Sequence, residues 1–164
     1  STHASWWIKA TIRQALNNAA LPPEAIVFEI TESILMRDSE HTLKNMDLLK
    51  QLGCKLYMDD FGTGYASLTY LKRFPIDVLK IDRSFVQDIG IDSDNEAIIQ
   101  STLTLASSLG KECIAEGVES AHQLAFLKAQ GCSYFQGYLF SKAVPKEQVL
   151  ELIERDWQPV FSQA

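Results

Sequence analysis

The feature that most constrains this chain is an alternation. Five short apolar runs with strand character are separated by stretches of helical spacing, and no low-complexity linker interrupts them. The runs fall at residues 25–31, 55–59, 78–81, 113–115 and 133–136. Between them apolar residues recur at helical intervals: Leu43, Met46, Leu49 and Leu52 ahead of Gly53, then Ile98, Ile99, Leu103 and Ala106 ahead of Gly110. An opening helix carrying Ile8, Ile12, Ala15, Leu16 and Ala19 stops before Pro22-Pro23, and Ser39 is placed to cap the helix that follows the first strand. Residues 67–73 read as a brief helix ended by Phe74-Pro75. Ser120-Ala121-His122-Gln123 has capping-box form, and Pro145 opens a last helix through Val149, Leu152 and Ile153.

Strands that alternate with helices pair in parallel through right-handed crossovers. The expectation is therefore an α/β fold, either an open doubly wound sheet or part of a TIM-like (β/α) barrel. No GxGxxG or Walker-type loop follows the first strand, which weakens the nucleotide-fold option. A complete barrel takes roughly 250 residues and about eight strands. This chain of 164 residues offers five.

The acids fall in a positional pattern. The first strand runs into Glu29 with Glu32 just beyond it, the second ends at Asp59-Asp60, the third with Lys80 and Asp82, the fourth with Glu116 and then Glu119, and the fifth at Gln136. In parallel α/β folds the carboxyl ends of the strands share the face that carries the site. A single acid at a strand end more often caps a helix, but several strands agreeing is harder to explain that way. Carboxylates held close together repel unless a cation neutralises them, and hard oxygen ligands suit Mg²⁺ or Mn²⁺. Asp59 and Asp60 are placed to serve two ions, the pairing common in phosphodiester hydrolysis. Lys80, two residues from Asp82 and on the same side of its strand, either neutralises the acids or holds a water or phosphate oxygen. Phe61-Gly62-Thr63-Gly64-Tyr65 is a loop whose glycines permit turns and movement.

Composition narrows the partners. A net charge of −6 argues against duplex nucleic acid, so a phosphodiester ligand needs positive charge from elsewhere, with bound metal the obvious source. Cys54, Cys113 and Cys132 fit neither a zinc spacing nor an even disulfide framework, and read as buried free thiols of a reducing, cytoplasmic setting. No run approaches the roughly 18 apolar residues of a membrane span, and the start at Ser1 shows no signal peptide. The missing initiator methionine suggests a processed or excised piece. Trp6, Trp7, Phe126 and Trp157 lie at helical spacings and read as packing residues, and His3, His41 and His122 fall away from the acids.

Phe28-Glu29-Ile30-Thr31-Glu32, Met58-Asp59-Asp60-Phe61-Gly62-Thr63-Gly64-Tyr65, Leu79-Lys80-Ile81-Asp82, Ala115-Glu116-Gly117-Val118-Glu119 and Gln136-Gly137-Tyr138 closely resemble the EAL-domain family in letters, order and spacing, over residues 21–145. The resemblance implies a TIM-like barrel that hydrolyses cyclic-di-GMP to linear pGpG with Mg²⁺ or Mn²⁺, two ions in the complete domain. It implies Glu29 and Asp59 as ligands of a first metal, with Asp59 bridging, and Asp60 and Glu116 as ligands of a second. Lys80 would orient or help deprotonate the attacking water with Asp82 in support, and Glu119 and Gln136 would complete the substrate and metal shell. Glu32 would anchor the loop of Phe61, Gly62, Thr63 and Gly64 through Ala66, which in the family contributes to dimer contacts. A homodimer and neighbouring regulatory or GGDEF-type domains are implied as well.

The family's Glu-Ala-Leu segment and its Asn-bearing strand motif, each a source of a first-metal ligand, have no counterpart here. Residues 1–164 are thus expected to be a partial EAL domain of five strands, weak or inactive alone. Two other readings are a receptor that binds cyclic-di-GMP without catalysis and a different metal-dependent barrel hydrolase.

Overall fold

The five apolar runs become strands: β1 (Val27–Thr31), β2 (Lys55–Phe61), β3 (Val78–Ile81), β4 (Glu112–Glu116) and β5 (Tyr134–Gln136), hydrogen-bonded in chain order. The computed structural model describes residues 2–37, 39–64 and 68–162. The chain divides into two compact units, one up to Leu79 and one from Lys80 onward.

In the first unit, helix α1 (Thr2–Ala19) packs on α3 (Ser39–Leu52), with Leu16 buried and Lys9 Nζ donating to Gln51 Oε1 at 3.1 Å. Ala20, at φ 52, turns the chain out of the helix before the Pro22-Pro23 pair. β1 and β2 pair in parallel, from Val27 opposite Lys55 to Thr31 opposite Asp59. Asp77, just ahead of β3, accepts from Lys50 Nζ at 2.7 Å on each oxygen and from the Leu56 N–H at 2.8 Å. That carboxylate ties α3 to the start of β2. Leu56, Met58, Leu71, Phe74 and Met46 are the buried centre of this unit.

In the second unit three helices start at a capping side-chain oxygen. Asp82 caps α5 (Arg83–Gln87), Asp92 caps α6 (Ser93–Ser108), and Ser120 with Gln123 forms the predicted capping box on α7 (Ala121–Ala129). β4 and β5 pair in parallel, with Ile114 opposite Tyr134 and Glu116 opposite Gln136. A 3₁₀ turn (Lys146–Gln148) leads into α8 (Val149–Glu154), and α9 (Gln158–Ser162) follows. Trp157 packs edge-on to Phe140 at 5.8 Å and donates its Nε1–H to the Leu152 carbonyl at 3.1 Å, so it does the packing work its spacing predicts. The side chains of Trp6, Trp7, His3 and Ser39 lie outside the described residues.

The sequence misses α2 (Glu32–Arg37), α4's exact start (Leu68–Arg73), α5 and α9. Helices of five or six residues complete little more than one turn, which is too short for apolar periodicity to declare itself. The second strand also continues two residues past its expected end, to Phe61. Cys54, Cys113 and Cys132 are buried free thiols as expected, and among the described residues no helix is long and apolar enough to cross a membrane.

Candidate active site

The first unit builds its acidic residues on β1, β2 and the loop after β2. Partners in parallel register face the same side, so Glu29 opposite Tyr57 and Thr31 opposite Asp59 place Glu29 and Asp59 on one face. Leu56 and Met58 occupy the other, buried face. Strict alternation would send Asp60 into that apolar layer. Instead Asp60 adopts φ +55, and the next buried residue is Phe61. The core phase slips by one residue. Asp is among the few side chains that tolerate this left-handed region.

The loop that follows is held at two points. Thr63 donates from its hydroxyl to the Asp60 carbonyl at 2.8 Å and from its N–H to the same oxygen at 3.3 Å. Glu32, only 4% exposed, accepts the Gly62 N–H on Oε2 at 3.4 Å, while its Oε1 is buried without a hydrogen bond. A Cβ on Gly64 would stand 2.6 Å from that Oε1, so glycine leaves the space the carboxylate fills. Glu32 thus sits against Gly62 and Gly64, the loop it was expected to anchor. Tyr65 and Ala66 lie outside the described residues.

The second unit is organised around a buried ion pair. Lys80 Nζ meets Glu116 Oε1 at 2.9 Å, with the two side chains 6% and 16% exposed. Gln136 lies beside Glu116 in register, on the same face of the next strand. The turn beyond β5 is fixed by backbone: Val118 N–H donates to the Gln136 carbonyl and Leu139 N–H to the Val118 carbonyl, each at 3.0 Å. A Cβ at Gly137 would come within 2.1 Å of that Val118 oxygen, so no other residue fits. Glu119 is exposed, and its N–H and that of Ser120 both donate to Gln123 Oε1, at 2.8 and 3.0 Å. Asp82 accepts the Ser84 N–H at 2.9 Å and the Ser84 hydroxyl, which is helix capping. His122 lies in the first turn of α7 against Gly90.

Among the described residues no three of His, Cys, Asp and Glu come together as a ready cage for a metal ion. What the structure brings together is Glu29 with Asp59 on one face, Glu32 with its loop, and Lys80 with Glu116 beside Gln136. All donors are carboxylate or amide oxygens, a set whose chemistry fits a hard divalent cation. The sequence reading overlooked the slip at Asp60, the close approach at Gly137 and the bracing of Glu119 by Gln123.

Comparison with known proteins adds the decisive observation: the model of the EAL domain matches residues 2–143. The chain belongs to the EAL domain family. It is 42% identical over 140 residues to the bifunctional diguanylate cyclase/cyclic di-GMP phosphodiesterase MucR of Pseudomonas aeruginosa, covering 85% of this chain and 20% of that protein. The PaMucR phosphodiesterase in its c-di-GMP complex superposes with TM-score 0.82 at 41% identity, covering 85% of this chain and 57% of that one. The Klebsiella pneumoniae BlrP1 manganese/cy-diGMP complex at pH 9.0 gives TM-score 0.76 at 34% identity, covering 87% and 35%. This EAL chain therefore carries the TIM-like α/β fold of those domains and spans about a fifth of MucR. The family match reaches back through α1, earlier than the motifs alone had marked.

Proposed function

We propose that this EAL chain is part of a phosphodiesterase that hydrolyses cyclic-di-GMP to linear pGpG. Glu29 and Asp59 would hold a first divalent ion and Asp60 and Glu116 a second, Mg²⁺ or Mn²⁺, with Glu119 and Gln136 completing the shell around metal and substrate. Bound there, divalent ions supply neutralisation of the phosphodiester charge and a bound water of lowered pKa.

The chain's own residues do the rest. Lys80 brings a buried positive charge against Glu116, where its ammonium can donate to a water or phosphate oxygen. Gln136, in register with Glu116, offers an amide with both donor and acceptor to a nucleotide. Asp82 fixes the start of α5 directly after β3 and thereby orients the strand that carries Lys80. Glu32 holds the loop of Phe61, Gly62, Thr63 and Gly64 next to the aspartates, and that loop also contributes to a homodimer contact. The complete protein, cytoplasmic at this domain, carries further regulatory or GGDEF-type domains, and residues 1–164 alone are weakly active or inactive.

The observation that carries this reading is the placement of the acids. Glu29 and Asp59 share the face of β1 and β2 opposite buried Leu56 and Met58, and Glu116 ends β4 with the buried Lys80 beside it. The test is hydrolysis of cyclic-di-GMP by the complete protein with Mn²⁺. Linear pGpG should form, and Asp59→Asn should lower the rate by about a thousandfold. Tight binding of the dinucleotide with no turnover would favour the receptor reading instead.

A further inference from the structure

We infer that Thr63 is a positioning residue that holds the backbone slip at Asp60, and so keeps two adjacent carboxylates on the working side of β2. The inference rests on the metal-dependent reading above and concerns how the chain prepares itself for it. Successive side chains of a strand point to opposite faces. An Asp-Asp pair at a regular strand end therefore cannot present both carboxylates to one site. β2 shows the alternation and then its failure: Leu56 and Met58 are buried, Asp60 is not, and Phe61 takes the place in the core. The break coincides with φ +55 at Asp60.

A left-handed residue other than glycine is disfavoured and needs something to hold it. Thr63 supplies two hydrogen bonds to one acceptor, the Asp60 carbonyl, at 2.8 Å from the hydroxyl and 3.3 Å from the amide. The hydroxyl bond is the part that depends on the side chain. Gly62, at φ +97, lets the chain fold back sharply enough for Thr63 to reach. Thr63 is itself exposed, so changing it leaves the core untouched.

The experiment uses the complete protein with Thr63→Val, which keeps the shape and removes the hydroxyl, and Thr63→Ser, which restores it. In the metal-free protein, hydrogen exchange at the Thr63 amide should rise about threefold to tenfold in the valine variant and stay at the wild-type rate in the serine variant. Mn²⁺ binding, followed by titration, should weaken by the same factor in the first and not in the second. Thr63→Val matching wild type in both exchange and Mn²⁺ affinity overturns the inference. Asp59→Asn serves as the separate check on the metal-dependent reading: unchanged Mn²⁺ affinity there sinks that reading, while amide exchange still decides the role of Thr63.

Discussion

β2 and β4 both carry acids at their C-terminal tips but arrive there differently. β4 keeps strict alternation, with Cys113 and Ala115 buried and Glu116 falling on the opposite side, next to Lys80. One carboxylate at a strand end needs nothing beyond the ordinary pleat. β2 must deliver Asp59 and Asp60 together, and it does so by abandoning the pleat at a left-handed residue braced by the following loop. The two tips also differ in how charge is handled. Glu116 has a cation at 2.9 Å, whereas Glu32, behind the β2 loop, rests on a backbone N–H at 3.4 Å. The β4 tip rests on an ion pair, and the β2 tip on hydrogen bonds from the loop that follows it.

The largest expected effect tests whether the acid of each tip is needed for activity. Glu116→Gln should reduce cyclic-di-GMP hydrolysis as severely as Asp59→Asn, by about a thousandfold, measured as initial rates with Mn²⁺. Activity surviving in only one of them would break the symmetry between the tips. Next, Lys80→Met leaves Glu116 buried without its partner and should cost about 3–5 kcal/mol in chemical denaturation. Changing Glu116 to leucine in the same protein should restore most of that loss, which sharpens the claim that the ion pair governs the stability of the β4 tip. Gly137→Ala forces a Cβ against the Val118 carbonyl and should cost about 1–3 kcal/mol, also read by denaturation.

The smallest effect is the pH response of the β4 core face. Burial pushes the Cys113 thiol from 9.0 up to about 12, with nearby Cys132 adding to the shift. The folded state therefore holds this proton more tightly than the unfolded chain. Its contribution is fully present below pH 9 and is lost progressively as pH rises toward about 12. Stability measured between pH 8 and 10 should fall, and Cys113→Ala should flatten part of that fall.

Much of this was legible in the sequence, for definite reasons. The strands declared themselves because each is a short apolar run bounded by glycine, proline or acid, and the capping box at Ser120 and Gln123 follows from two side chains at a fixed spacing. The strand-end acids were legible because parallel topology alone assigns them an end. The slip at Asp60 was not, since alternation predicts the opposite outcome and only a backbone dihedral reveals it. Asp82 shows a different gap: a carboxylate two residues before a serine reads equally well as helper or helix cap, and the structure shows it capping. Gly137 stands in a recognisable motif, but the reason for it does not show there, because its necessity comes from the Val118 backbone, nineteen residues away in the chain.

The most direct measurement is anomalous diffraction from crystals of the complete protein soaked in Mn²⁺. Peaks within bonding distance of the Asp59, Asp60 and Glu116 carboxylates are the predicted result. Well-ordered carboxylates at these positions with no manganese bound to any of them would contradict it.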